Sequence, residues 1–371
     1  MVMGDFRQDS GEPMYTDIDI KTALALKNKC FIDVRSPAEY AEGTIPGAVN
    51  VPLFDDNERR LIGITYRQKG VKQAKLDGLK VVAPKLPALV AGILERCQGK
   101  KPVIFCWRGG MRSRAVASVL ELVGKKALRL EGGYKAYRRF ILAELAAYKL
   151  VTEPVVLDGL TGVGKTLILK ELYSRGHPVL DLENLAGHRG SVFGGLGFKE
   201  PRGQKNFDAL LWERLQELND SPYLLVEGES RRIGRIFLPD FLYNAIRTGK
   251  RIKVEASLPV RVGRIVEEYT RMGEAELEEG EAALDRLVKR LGKKLVAELK
   301  LLLRGGNLTA FVEILLREYY DPLYRKSLLP EQAYELVVQA DDLKRAASQI
   351  EYYLKKHYQI KSSRPETDKM D

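Results

Sequence analysis

The chain has 371 residues, enough for two or three domains with proper cores, and 45% of them are hydrophobic. Lys and Arg outnumber Asp and Glu by 61 to 50, giving a net charge of +11 that suits either a solubilising surface or a polyanionic partner such as RNA. No apolar run approaches the roughly 18 residues that span a bilayer, which argues against a membrane protein. The start, Met1 to Asp19, bears acids and lacks the apolar core of a signal peptide. Cys30, Cys97 and Cys106 form no C-x-x-C pair and no even framework, so a reduced, cytoplasmic setting is expected. The three histidines are scattered and give no metal cage.

In chain order, strand and helix alternate through the first half. A helix is expected from Asp19 to Asn28, then a strand from Cys30 to Val34 that ends in Asp33-Val34-Arg35. Ser36-Pro37 reads as a helix N-cap with proline at the first position. A turn at Thr44 to Pro52 leads to helices near Asn57–Gln73 and Pro84–Arg96. The apolar run Val103-Ile104-Phe105 forms a strand, and from Arg112 a helical pattern runs through Val116, Leu120 and Val123. Cys106 lies at that strand–helix junction, where backbone N–H groups converge and the helix N-terminus adds positive potential. Arg108 and Arg112 add formal charge. These surroundings favour an anion on the sulfur, and Cys106 reads as a nucleophile. A strand at Ala127–Leu130 and a helix opened by Gly132-Gly133-Tyr134 complete a first domain, 15–148.

Thr152-Glu153-Pro154 closes a linker, 149–154, and a second alternating domain is expected over 155–360. Its first strand, Val155–Asp158, runs into Gly159-Leu160-Thr161-Gly162-Val163-Gly164-Lys165-Thr166 and a helix through Leu172. This is G-x-x-x-x-G-K-[ST] in strand–loop–helix context: Gly159, Gly162 and Gly164 let amides approach a diphosphate, Lys165 neutralises it, and Thr166 is placed to coordinate magnesium. Further strands are expected at Val179–Asp181, Tyr223–Val226, Arg251–Ala256 and Tyr334–Val338, with a helix at Asn206–Leu218. A helical segment spans 274–320, and a polar, disordered tail 361–371. The whole predicts an α/β protein in which parallel sheets are covered by helices on both faces.

These segments together resemble the bacterial tRNA 2-selenouridine synthases, which fuse a rhodanese-like domain to a P-loop domain. The rhodanese features are Asp33-Val34-Arg35, the Gly43 to Asn50 turn and the cysteine loop with Gly132-Gly133. More diagnostic are Cys106-Trp107-Arg108-Gly109-Gly110-Met111-Arg112-Ser113, Gly187-His188-Arg189-Gly190-Ser191-Val192-Phe193-Gly194, Val226-Glu227-Gly228-Glu229-Ser230 and Tyr319-Tyr320-Asp321-Pro322-Leu323-Tyr324. The resemblance implies that the 2-thio sulfur of a wobble uridine in tRNA is first geranylated from geranyl diphosphate and then replaced by selenium from selenophosphate. It also suggests selenophosphate synthase as a partner. On this reading Cys106 accepts selenium as a perselenide, and Arg108 and Arg112 hold the selenophosphate. Selenophosphate arrives activated, so ATP is not required and the P-loop is open to geranyl diphosphate. His188, Arg189 and Ser191 are candidates for substrate or RNA contact. Glu227 and Glu229 resemble strand-end acids that bind magnesium, Glu227 together with Thr166.

Blander readings stand beside these. Asp33 and Arg35 shape a loop or merely close a strand. Arg231, Arg232 and Arg235 contact RNA or form an exposed basic face, and Tyr319, Tyr320 and Tyr324 are packing residues before they are base-stacking ones. Cys106 to Arg112 also spells C-x-x-x-x-x-R, the phosphate cradle of cysteine phosphatases, although Phe105 stands where many of those carry histidine. A nucleotide-dependent sulfurtransferase or kinase fusion, and an RNA-binding regulator without turnover, are the remaining alternatives.

Overall fold

The computed structural model describes residues 15–189, 202–269, 274–326 and 328–358. The chain forms two compact units, Met1–Ala147 with Asp208–Leu210, and Tyr148–Phe207 with Leu211–Asp371.

In the first unit the order is β1 (Thr16–Ile18), α1 (Ile20–Ala25), β2 (Lys29–Asp33), α2 (Pro37–Glu42), β3 (Val49–Asn50), α3 (Asp56–Val82), α4 (Leu86–Cys97), β4 (Lys101–Phe105), α5 (Met111–Leu122), β5 (Leu128–Leu130) and α6 (Gly133–Ala147). The strands form one parallel sheet, β1-β5-β4-β2-β3. Residues 102–105 of β4 are all buried, as expected for a strand covered on both faces. Ile32, Ile93, Ile104, Val116 and Leu120 fill the core between sheet and helices. Local signals set the helix starts. Asp19 accepts from the Lys21 and Thr22 amides at 2.8 and 3.0 Å, and Glu39 accepts from the Ser36 amide at 3.2 Å, ahead of Pro37. The sequence placed no strand at 16–18 and ended the helix that begins near residue 57 too early. That helix continues to Val82 across a break at Gly70, whose φ is +82°.

The second unit contains β6 (Glu153–Asp158), α7 (Lys165–Ser174), β7 (Val179–Leu180), α8 (Leu182–Ala186), α9 (Gln204–Leu218), β8 (Tyr223–Glu227), a hairpin of β9 (Arg232–Ile233) and β10 (Ile236–Phe237), α10 (Asp240–Thr248), β11 (Lys250–Glu255) and α11 (Leu258–Tyr269). It continues with α12 (Glu274–Arg304), α13 (Leu308–Leu315), a π-helical turn (Leu316–Tyr320), α14 (Asp321–Tyr324), β12 (Leu336–Gln339) and α15 (Leu343–His357). Its main sheet is parallel, β12-β11-β6-β8-β7. Val155, Leu157, Leu169, Val254, Ile350 and Leu354 pack as one core. Leu284, Leu287, Leu299 and Leu303 pack with Phe311 and Leu315 in another, so the leucines of the helical segment are core. Asn307 caps α13 by accepting from the Ala310 amide, which ends α12 at Gly305-Gly306.

The expected linker 149–154 is not one at its C-terminal end. Thr152 is buried with its hydroxyl donating to Leu218 O, and Glu153 and Pro154 are strand residues paired with Tyr223 and Leu224. Proline is tolerated there because it stands near the strand's start. The last strand begins at Leu336 rather than Tyr334, because Glu331–Ala333 form a 3₁₀ turn. The tail 361–371 lies outside the described residues.

The turn into α6 controls the approach to Cys106. Gly133 has φ +57°, and a Cβ there would lie 2.2 Å from Cys106 O and 2.4 Å from Gly109 N. Gly133→Ala is therefore expected to lower stability to urea by about 2 kcal/mol or more. Gly124→Ala, at φ +76° with nothing within 4 Å of its Cβ, carries the backbone strain without a clash and should cost less, about 1–2 kcal/mol. Equal shifts of the two urea midpoints would remove this close approach from the account of the fold.

Candidate functional site

Each unit presents chemistry at the carboxyl ends of its parallel strands, where loops rather than ladder bonds define the surface. In the first unit Cys106 follows β4 directly and is 3% exposed, with Sγ 3.3 Å from Ser113 Oγ. Its loop is held from behind. The Tyr134 and Lys135 amides donate to the carbonyls of Cys106 and Trp107 at 2.8 and 2.9 Å, and Arg129 bridges Gly109 O to Asp17. The carbonyls of 106 and 107 are thus turned away and satisfied.

Arg108 is exposed, and among the described residues no carboxylate pairs with it. Arg112 differs from the sequence expectation. It is 15% exposed and donates to both oxygens of Glu39, at 2.5 and 3.1 Å. Burial pushes the Glu39 carboxyl up, but the hydrogen bonds and charge of Arg112 outweigh that and hold it below its usual value. Arg112 is therefore held in the loop wall by Glu39, and Arg108 is the loop's arginine without a carboxylate partner among the described residues.

Asp33 and Arg35 form a buried pair, with Nε and Nη2 of Arg35 donating at 2.9 and 2.5 Å. Arg35 also donates to Gly43 O at 2.6 Å, Thr44 donates to Asp33, and the guanidinium lies 4.1 Å from the centre of the Tyr134 ring. The pair ties the turn at 43–44 to β2 and α6, which is a loop-shaping role.

In the second unit the P-loop joins β6 to α7. Gly162 and Gly164 have φ +80° and +95°, and a Cβ on Gly159 would meet Val254 O at 2.3 Å. Lys165 Nζ donates to Gly159 O and Leu160 O, at 3.0 and 3.3 Å, curling over its own loop. Two arginines of α11 fix the loop. Arg261 donates to Thr161 O at 2.8 Å and to the buried Asp321 at 3.0 and 2.5 Å, while Arg264 donates to Val163 O at 2.7 Å. This gives the Tyr-Tyr-Asp-Pro segment a role, since its aspartate orients the arginine that holds the P-loop.

Facing Lys165 is a cluster of acids. Glu183, Glu227 and Glu229 bring carboxylate oxygens within 4.8 Å of one another, and Thr166 Oγ1 donates to Glu183 at 3.3 Å. Glu227 is 6% exposed, and its Oε1 is buried with no hydrogen-bond partner. Burial, with Glu227 and Glu229 alongside, pushes the Glu183 carboxyl up to about 9. Burial and Glu227 push Glu229 to about 7, and burial raises Glu227 against the opposing pull of Lys165 and Thr166. Three carboxylates and a hydroxyl make an all-oxygen donor set that fits a hard divalent cation, and one of Glu227's oxygens is buried without a partner.

The sequence reading missed Glu183. The strand before it was expected at Val179–Asp181, but Glu183 lies past that strand's end, inside the five-residue helix α8, whose start was not expected.

These groups line a cavity of about 1220 Å³ in this unit. Lys170, Arg189, Arg214, Arg247 and Arg264 border it, and Ile265, Val312, Leu315, Leu316, Tyr320 and Tyr324 form an apolar flank. Burial, with Glu229 and Glu183 nearby, pushes the Tyr324 phenol up to about 12. Of the candidates for RNA or substrate contact among the described residues, Arg189, Tyr320 and Tyr324 border this cavity. The His188 ring stacks close to Gly234 in the β9–β10 turn, and burial lowers its pKa. Arg231 pairs with Asp240 at 2.5 Å, and Arg232 donates to Gly234 O and lies over Phe237. Ser191 lies outside the described residues.

The sequence matches two family descriptions, a rhodanese-like domain over residues 19–140 and the tRNA 2-selenouridine synthase AAA domain over residues 152–359. It is 33% identical over 356 residues to the tRNA 2-selenouridine synthase of Nitrosomonas europaea, covering 84% of this chain and 92% of that one. It is 35% identical over 336 residues to the protein of that name from Hydrogenovibrio crunogenus, covering 83% and 92%. The chain belongs to the tRNA 2-selenouridine synthase family. It is accordingly an enzyme, a transferase, built from a rhodanese-like unit and a P-loop unit. No helix among the described residues is long and apolar enough to cross a membrane.

For this family member the acid cluster gives a direct test. At pH 6 carboxyls raised to about 7 and about 9 are protonated and must release protons to a metal; at pH 8.5 fewer do. Calorimetric titration with Mg²⁺ should show tighter binding at pH 8.5 than at pH 6, and Glu227→Gln should weaken it about tenfold or more. An affinity that ignores both pH and Glu227 would take the metal away from this cluster.

Proposed function

We propose that the enzyme modifies the wobble uridine of tRNA in two stages, one per unit. In the first, geranyl diphosphate binds the P-loop cavity and alkylates 2-thiouridine. The base sulfur attacks C1 of the geranyl group, the C1–O bond breaks, diphosphate departs, and the N3 proton is lost. Gly159 to Gly164 supply amides for the diphosphate, and Lys165 neutralises its growing charge. Thr166, Glu183, Glu227 and Glu229 would hold magnesium, which adds positive charge beside the leaving group.

The observation that carries this reading over a nucleotide is the composition of the cavity. The P-loop and acid cluster share it with the apolar flank of Ile265, Val312 and Leu315, which suits a ten-carbon hydrocarbon tail. Because the donors are already activated, the stoichiometry requires no ATP.

In the second stage selenium from selenophosphate replaces the alkylated sulfur. A perselenide formed on Cys106 from selenophosphate alone would leave phosphorus reduced, so the balanced step has Cys106 attack phosphorus. The P–Se bond breaks, hydroselenide is released within the loop, and water later hydrolyses the S-phosphoryl cysteine to phosphate. Hydroselenide adds to C2 of the S-geranylated base and geranyl thiol leaves, with no net change in oxidation state. The amides of the Cys106 loop suit this tetrahedral oxyanion, and Arg108 supplies its cation. We place the reaction in the cytoplasm, with selenophosphate synthase as the natural source of the donor.

Nucleoside mass spectrometry should separate the stages. Wild-type protein with 2-thiouridine tRNA, geranyl diphosphate and selenophosphate should yield 2-selenouridine. Cys106→Ala should accumulate the geranylated base, and Lys165→Ala should leave 2-thiouridine. Geranylation undiminished in a folded Lys165→Ala protein would refute the P-loop assignment. Phosphate release from simple phosphomonoesters without tRNA would favour the phosphatase reading.

A further inference from the structure

Two long helices, one in each unit, share an unusual feature. α3 is broken at Gly70 (φ +82°, ψ 176°) and α12 at Gly292 (φ +81°, ψ 157°), and a Cβ at either glycine would meet nothing within 4 Å. Both corners therefore face open space. Around the first, residues 59–76 contain no acid but include Arg60, Arg67, Lys69, Lys72 and Lys75. Around the second, residues 286–297 contain no acid but include Arg286, Lys289, Arg290, Lys293 and Lys294. Residues 66–72 are exposed without exception, and so are Lys289, Arg290 and 292–294. Tyr66, 52% exposed, stands at the first corner.

Elsewhere the chain answers its cations, as Arg175 does with Glu171 and Glu351, and Arg304 with Glu281. Among the described residues none of Arg67, Lys69, Lys72, Lys289, Lys293 and Lys294 has an ion-pair partner. Their placement is also locally unfavourable. Lys72, Lys293 and Lys294 fall in the first turn of the helical arm that restarts after each glycine, where the helix dipole disfavours positive charge. An arrangement that repels itself is stabilised by an external polyanion.

We propose that the Gly70 and Gly292 corners are RNA-binding handles, one on each unit, that hold the phosphate backbone of the tRNA substrate. This rests on the tRNA reading above, and it adds a reason for the duplication. A base processed at two centres in two units needs a grip on each.

The test uses the full chain and two triple variants, Arg67→Gln/Lys69→Gln/Lys72→Gln and Lys289→Gln/Lys293→Gln/Lys294→Gln. Filter binding of a tRNA transcript is measured from 50 to 200 mM salt. Each triple should bind about tenfold or more weakly and lower the slope of log affinity against log salt by about 2. Lys-to-Arg or Arg-to-Lys exchange at the same positions should restore both, and thermal unfolding with geranyl diphosphate binding reports that the fold is intact. Unchanged affinity and slope in both triples would overturn the proposal, and loss in one alone would overturn it for the other corner. A loss confined to anionic phosphatidylserine vesicles, with tRNA binding intact, would assign the corners to a membrane surface and equally overturn it. Wild-type protein that binds no tRNA would instead sink the tRNA reading itself.

Discussion

Three carboxylates whose oxygens lie within 4.8 Å of one another cannot all carry charge beside a single lysine. At an effective dielectric of about 20, each like pair at that separation repels by roughly 3.5 kcal/mol. The site meets this by holding protons, since burial and the neighbouring carboxylates push Glu183 up to about 9 and Glu229 to about 7, and under the proposed function a divalent cation would take their place. Much of the second unit serves that balance. Lys165 faces the acids, Thr166 donates to Glu183, and the P-loop carbonyls are held by Arg261 and Arg264, leaving the loop amides to a ligand. Glu227, with one buried oxygen unsatisfied, is the residue least able to remain as it is.

The first unit solves a related problem with fewer charges. Its cysteine loop is nearly closed, and the strongest polar groups around it are already committed: Arg35 to Asp33, Arg112 to Glu39, Arg129 to Asp17. Each of these pairs is wholly or partly buried, so removal of one partner would leave a charge that water cannot fully reach. Their effect is to fix the backbone, and under the proposed reaction the loop amides and Arg108 remain for an incoming anion. Gly133 completes this by allowing α6 to start against the loop, closer than any side chain permits.

Both loops were legible in the sequence because their geometry needs glycine at particular positions and a strand before them. What escaped the reading depends on partners far away in the chain. Arg112 and Glu39 are 73 residues apart, and Arg261 and Thr161 are 100 apart, so no local pattern marks either pair. Glu183 was hidden for a local reason, since the five-residue helix α8 that carries it is too short to show a helical period. The glycine corners in α3 and α12 look in sequence like ordinary helix interiors. A helix tolerates glycine at a cost near 1 kcal/mol, so composition alone does not separate a kink from a continuous helix.

The division of labour between the units has a chemical logic under the proposed reaction. A soft nucleophile and an alkylating allylic diphosphate are incompatible in one pocket, because the thiolate or selenide would take the geranyl group itself. Placing Cys106 in a rhodanese-like loop and the diphosphate in a P-loop cavity keeps the two reagents in separate units, with the RNA base as the only species that meets both. The sulfur of 2-thiouridine is then alkylated where no competing thiol lies among the cavity's lining residues, which include no cysteine. Selenium is delivered where the lining is a cradle of amides rather than an apolar wall. Specificity follows from which loop the base occupies, and so the demand on the protein shifts from selective chemistry to holding and moving the RNA.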